Sequence, residues 1–264
     1  MHKNRVKEIM SRGEIAFFAS VGFADPAVVE IIGLAGLDAA RVDMEHTPFD
    51  LQTVEEMIRA CEVVGITSDV RVPDNDPKLI LRILDMGAQM IKIPHIGGKE
   101  DALAAVKAVR YAPLGDRGIG TGTRAARYGA VSKKEHMETS NSEILLSVLI
   151  EDKKAFDEIE EIASIEGLDL IAVGLNDITQ AFGFSGPHDP RLKETVENVA
   201  NTIKRVGKAK LNISMGHPGY PMDIAEVKRL GIAYTHVQPN PVGRLLKSFT
   251  QSMKEIREEL EKLK

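Results

Sequence analysis

Residues 39–72 read AARVDMEHTPFDLQTVEEMIRACEVVGITSDVRV. An apolar, β-branched run from Ala39 to Glu45 gives way to an amphipathic stretch, Leu51 to Val64, whose apolar residues recur at helical spacing. Gly65 and a second β-branched run, Asp69 to Val72, follow. This is a strand–helix–strand unit. Its glycine supplies the left-handed stop favoured where a helix turns back into a strand.

The pattern continues in both directions. Upstream lie a strand, Ile15 to Val21, and a helix, Asp25 to Ala35, ending at Gly36. Downstream, strands are expected at Met90 to His95, Ile144 to Glu151, Leu168 to Gly174, Lys208 to Met215 and Ile232 to Gln238. Helices are expected at Pro77 to Met86, Glu100 to Arg110, Asp152 to Ser164, Arg191 to Val206, Pro221 to Leu230 and Val242 to Leu263, with further stops at Gly87, Gly167 and Gly231. Parallel strands joined by helices can stay open as a doubly wound sheet or close. Eight units in 264 residues point to an α/β fold of the (β/α)8 TIM barrel type, one domain over residues 1–264. No G-x-G-x-x-G lies between the first strand and helix, which argues against a dinucleotide-binding open sheet.

Composition narrows the function classes. Thirty-four Lys and Arg against 39 Asp and Glu leave a net charge of −5, so no field draws the chain to nucleic acid or an anionic membrane. The one cysteine, Cys61, excludes an intrachain disulfide and reads as a buried small hydrophobe. No apolar run approaches the roughly 20 residues of a membrane helix, and Met1 to Met10 carries charges where a signal peptide is apolar. A cytoplasmic protein is expected. Two segments break the rhythm: Tyr111 to Ser142, rich in Gly and Arg, and the Gly/Pro-rich Phe182 to Pro190, after a short helix. The charge-dense end of the last helix, Lys254 to Lys264, reads as a solvated face.

In such a barrel, chemistry gathers where strands end. Strand two ends Asp43-Met44-Glu45-His46, strand three reaches Arg71, strand four ends Pro94-His95, strand five ends Glu151, and Asn176-Asp177 follow strand six. Glu151 and Asp177, on adjacent strands, form a pair of hard oxygen donors without thiolate or histidine cluster. Such a pair suits Mg²⁺ or Mn²⁺ with open positions for water and substrate. Alternatively, paired carboxylates serve as general acid and base on a sugar, which gives Arg71 and His46 no role, and Asp177 could be a helix cap.

Several strings resemble one family: Val42-Asp43-Met44-Glu45-His46-Thr47-Pro48, Val70-Arg71-Val72-Pro73-Asp74-Asn75-Asp76, Leu84-Asp85-Met86-Gly87-Ala88, Arg110 to Gly118, and Gly174-Leu175-Asn176-Asp177. Between about Gly13 and Arg244 the chain is similar to the metal-dependent (class II) pyruvate aldolases of the HpcH/HpaI type, in the phosphoenolpyruvate/pyruvate barrel superfamily. The resemblance implies reversible cleavage of a 4-hydroxy-2-keto acid to pyruvate, or a related 2-keto acid, and an aldehyde. It also implies a homo-oligomer, a hexamer built as a trimer of dimers, whose C-terminal helix packs on a neighbouring subunit.

By the same resemblance Glu151 and Asp177 are metal ligands, for Mg²⁺ or Mn²⁺ first and Co²⁺ or Zn²⁺ otherwise. Arg71 binds the enolate, and His46 is the catalytic histidine, with Asp43 and Asp85 as acidic partners near its ring. Gly174, Leu175, Asn176 and Arg124 contact substrate, with Arg127 a further candidate for its far carboxylate. The chemistry explains the set. Breaking the C3–C4 bond leaves an enolate, for which a chelated divalent ion is an electron sink and an arginine a fixed positive charge. His46, through a water, would take the 4-hydroxyl proton.

The chain departs from the family at Leu175-Asn176, where Pro-Ala is common, and at Leu149, where a Gln often stands. Three other readings compete. Lys92, the only strand lysine able to point into the barrel, could form a Schiff base. The enolate could be captured by oxaloacetate, as in a citrate synthase-like condensing enzyme. Or the barrel could bind a keto acid without turnover.

Overall fold

The structure, a computed structural model, describes residues 2–263; Met1 and Lys264 lie outside the described residues. Helix α1 (Arg5–Ser11) leads into β1 (Ala16–Val21), α2 (Pro26–Leu34), β2 (Ala39–Asp43), α3 (Leu51–Val63), β3 (Thr67–Arg71), α4 (Pro77–Asp85) and β4 (Met90–Ile93). Then come α5 (Lys99–Val109), α6 (Lys133–Glu143), β5 (Leu145–Ile150), α7 (Lys153–Asp157), α8 (Ile159–Ala163), β6 (Leu170–Val173) and α9 (Leu175–Ala181). The chain ends with α10 (Pro190–Val206), β7 (Lys210–Asn212), α11 (Ile224–Leu230), β8 (Ile232–His236) and α12 (Pro241–Lys262).

The eight strands pair in sequence order, all parallel, and β8 closes on β1 with Ala16 beside Tyr234 and Phe18 beside His236. Local chemistry sets the element ends. Asp25, Asp76, Asp189 and Asn240 each cap a helix that opens on proline, which fits the first helical turn because its missing N–H is not needed there. Gly36, Gly65, Gly87, Gly167 and Gly231 all adopt positive φ, as expected of helix stops.

Side chains alternate across each strand. In β2, Ala40 and Val42 pack outward in the large core under the helices, leaving Ala39, Arg41 and Asp43 to the barrel interior. The interior is layered. Ala16, Phe18, Ala39, Met90, Leu145 and Leu170 fill its lower end, where α1 inserts Val6 and Ile9 as a plug. Asn4 fixes that plug by donating to the carbonyls of Gln89 (2.8 Å) and Glu143 (3.0 Å) and accepting from Thr67 Oγ1 (2.9 Å). Above lies a polar layer of Arg41, Asp69, Lys92, Ser147 and Asn212, all buried.

Several expected boundaries move. Strands two, four and five stop before Glu45, His95 and Glu151, which stand in the loops above them. The sequence reading has no counterpart for α1, nor for α6 within the long excursion, and the expected helix from Asp152 breaks at Glu158. Helix α11 starts at Ile224 rather than Pro221 because Asp223 caps it. Helix α12 has no buried residue, and an apolar stripe of Leu245, Phe249, Met253, Ile256 and Leu260 runs along it into the end expected as a solvated face. No helix among the described residues is long and apolar enough to cross a membrane.

Candidate active site

The rim at the C-terminal ends of the strands collects a continuous run of charged side chains. Arg71, ending β3, donates from Nε to Asp43 Oδ1 (2.8 Å), pairs through Nη2 with Asp43 Oδ2, and sets Nη1 2.9 Å from Glu45 Oε2. Glu45 Oε1 lies 3.1 Å from His95 Nε2, and His95 Nδ1 lies 3.0 Å from Glu151 Oε2. Both imidazole nitrogens thus lie within ion-pair distance of carboxyl oxygens. His95 holds this bridge with a left-handed backbone, φ 53°, a conformation that costs a non-glycine residue about 1–2 kcal/mol.

Asp43 is buried, which opposes ionisation, yet the Arg71 hydrogen bond and charge, with the N–H groups of Glu45 and His46, outweigh that and hold its carboxyl below the usual range. Glu151 goes the other way. Burial, then the negative charge of Asp177, raises its pKa. The two carboxylates expected to share a cation thus stand at the ends of neighbouring strands, Glu151 after β5 and Asp177 after β6.

Asp177 occupies the first turn of α9 without capping it; Gly174 is the N-cap residue. A Cβ at Gly174 would sit 2.3 Å from Asp177 Oδ2, so the carboxylate folds into space only glycine leaves open. This donor set fits a hard divalent ion that takes its other ligands from water and substrate. No cluster of three His, Cys, Asp or Glu side chains suited to a metal occurs among the described residues.

Not every expected residue gathers here. His46 is at the rim with its side chain 68% exposed, and Asp43 accepts its backbone N–H (3.4 Å) rather than orienting its ring. Asp85 is the last residue of α4, and α4 runs back toward the start of β4, so within one chain it lies at the rim opposite His46. There it accepts from Arg117 Nη2 (2.7 Å). Arg124 likewise clamps Glu62 and donates to the Met86 carbonyl (2.9 Å), so its guanidinium is structural in this chain and away from the mouth. The Leu175 side chain is buried in the outer core, which leaves only its main chain for a ligand.

Glu45 and His95 are site members to which the sequence reading gave no role, although both follow strands directly. His217 is another. Its Nδ1 accepts from the Gly219 N–H (3.2 Å), so Nε2 carries the proton and faces Asn176 Oδ1 (2.8 Å), next to Asp177. Nothing in the local sequence signals this long-range pair.

Comparison with known proteins gives consistent matches. The model of the family described as HpcH/HpaI aldolase/citrate lyase matches residues 16–217. A hydroxypyruvate/pyruvate aldolase of Sagittula stellata is 36% identical over 206 residues, covering 78% of this chain and 81% of that protein. A 5-keto-4-deoxy-D-glucarate aldolase of Escherichia coli O157:H7 is 33% identical, covering 78% and 80%. The crystal structure of citrate synthase SbnG superposes with a TM-score of 0.83 at 26% identity, covering 97% of this chain and 98% of that one.

Proposed function

The chain belongs to the HpcH/HpaI aldolase/citrate lyase family, and on that premise we propose that it is a class II pyruvate-dependent aldolase, a carbon–carbon lyase. Its substrate class is a 4-hydroxy-2-keto acid, cleaved reversibly to pyruvate or a related 2-keto acid and an aldehyde. One observation carries the reading: Glu151 and Asp177, carboxylates at the ends of the neighbouring strands β5 and β6, stand on the rim that also holds Arg71.

Glu151 and Asp177 would hold a divalent ion, Mg²⁺ or Mn²⁺ first and Co²⁺ or Zn²⁺ otherwise, which when bound supplies a Lewis acid for the keto oxygen. Arg71, kept charged and rigid by Asp43 and Glu45, places a guanidinium where negative charge grows on that oxygen. His46, exposed at the mouth, moves the proton of the 4-hydroxyl through water. The main chain of Gly174, Leu175 and Asn176 lies beside Asp177 and faces the keto acid.

Activity should vanish on chelation and return with Mg²⁺ or Mn²⁺, and borohydride with pyruvate should leave no covalent adduct. An adduct at Lys92 together with chelator-resistant activity would replace the metal with a Schiff base. The similarity to a citrate synthase favours one second reading, capture of the same enolate by oxaloacetate. Product analysis with aldehydes and oxaloacetate in competition separates the two. A binder without turnover would hold pyruvate yet never exchange its methyl protons.

The apolar stripe of α12 supports the proposed homo-oligomer, a hexamer as a trimer of dimers in which this helix packs on a neighbour. In such an assembly Asp85 and Arg124, at the far rim of their own barrel, could approach only a neighbouring copy's site.

A further inference from the structure

The barrel interior beneath Arg71 carries a group that the reaction as proposed leaves unused. Lys92 sits on β4, in register with Arg71 of β3 on one side and Ser147 of β5 on the other, so all three share the inner face. It is 6% exposed. The acids around it are engaged elsewhere: Asp69 with Arg41 (2.8 Å) and Tyr234 (2.9 Å), Asp43 and Glu45 with Arg71, Glu151 with His95. Ser147 Oγ and Asp69 Oδ1, both buried, have no hydrogen-bond partner among the described residues. Buried polar atoms are normally satisfied, so these two are free to serve a further polar group. Above them, at the strand ends, stand Arg71, Glu151 and Asp177.

We propose that Lys92 is a catalytic residue of this site, the base and acid that carries the proton at C3, the carbon beside the keto group of the bound keto acid. The inference rests on the aldolase reading above. In the condensation direction the C3–H electron pair of the keto acid becomes the C2=C3 double bond, the carbonyl pair moves to the keto oxygen, and the proton joins the neutral amine. After carbon–carbon cleavage the steps reverse: the pair on oxygen re-forms the carbonyl, and the C2=C3 pair takes the proton from the ammonium. No oxidant or further reactant is needed.

The surroundings suit an amine that works uncharged. Burial, then the positive charges of Arg41 on β2 and Arg71 on β3, push its pKa well down, while Asp69 and Glu151 pull the other way. His236 and Tyr234 face the same interior from β8. His46 cannot share the task from its exposed place at the mouth, where the aldehyde leaves. An amine from below meets C3 without crossing the aldehyde's path.

The test is exchange of pyruvate methyl protons for deuterium, followed by proton NMR with Mg²⁺ present, in wild type and Lys92→Met. Methionine keeps the length and apolar stem, so the barrel should stay filled. Exchange should fall by about 10²–10⁴-fold, the usual worth of a positioned acid–base group, while calorimetric pyruvate affinity stays within about threefold. Lys92→Cys should be equally slow and regain at least about tenfold on aminoethylation, with Cys61 buried and out of the reagent's reach. Exchange in folded Lys92→Met within about threefold of wild type overturns the proposal. So does a borohydride-trapped pyruvate adduct on Lys92, which makes the amine a nucleophile. Failure of the metal-loaded wild type itself to exchange instead removes the aldolase reading, a result visible before any variant is made.

Discussion

The polar layer inside the barrel makes a sharp stability prediction. Asp69 is fully buried and accepts from Arg41 Nε (2.8 Å) and from the Tyr234 hydroxyl (2.9 Å), with Arg41 Nη2 at 2.7 Å. Asp69→Ala leaves a guanidinium, its side chain 7% exposed, with no counter-charge, which typically costs about 3–5 kcal/mol. The Tyr234 hydroxyl also loses its acceptor, worth about 1–3 kcal/mol. Because both partners share one carboxylate, the penalties overlap, and the expected total is about 4–6 kcal/mol, a drop in Tm of about 10–20 °C. Urea unfolding followed by circular dichroism measures it. Arg41→Met/Asp69→Ala should recover most of the loss, because methionine lies against Phe18, over whose ring the Arg41 guanidinium now stacks at 3.8 Å. A loss under about 1 kcal/mol for Asp69→Ala, or simple additivity of the two single changes, would refute this account of the layer.

Other expectations concern the rim. At a metal concentration 100-fold above Kd, wild type should gain about 2.7 kcal/mol in a thermal melt, whereas Glu151→Gln should gain none and, in chelator at neutral pH, be at least as stable as wild type. The sign follows from Glu151's raised pKa: its contribution is full below the unfolded acid's range and is lost as pH rises through the folded value. Asp43 is opposite, its contribution present above the unfolded value and lost only as pH falls through a depressed folded one, so Asp43→Asn should flatten the acid limb of stability below about pH 4. Gly174→Ala should weaken calorimetric metal binding at least about tenfold while changing stability by under about 1 kcal/mol, since φ −83° accepts a side chain and only the Asp177 carboxylate is displaced. His95→Gly should be more stable than His95→Ala by about 1 kcal/mol, reversing the usual order because φ is positive, while both lose activity.

How much of this was legible in the sequence depends on whether the information is local. Helix stops at Gly65 or Gly231 and caps such as Asp76 before Pro77 act within a turn, and the barrel follows from their repetition. The polar ends of strands two to six were equally visible, because alternation and strand direction fix which end is the mouth. The same logic places Asp85 and Arg124. Asp85 closes a helix, and in a parallel barrel helix ends lie at the rim opposite strand ends, so its position on the helix already sets it apart from His46 of the same chain. Arg124 binds Glu62, 62 residues away, and the contact leaves no local trace. Lys92 stood out as a strand lysine, but period-two alternation alone left its direction open; the register with Arg71 and Ser147 decides it. What single residues could not show is their grouping. Arg41, Asp69 and Lys92 come from three strands, and only closure of the barrel gathers these separate ionisable groups into a layer beneath a catalytic rim. A charge costs most where no water reaches it, so a layer kept there must be held by function or by mutual pairing. Asp69 and Arg41 satisfy the second condition. Lys92, unpaired and pushed toward its uncharged form, is left to function, a substrate that comes down to meet it.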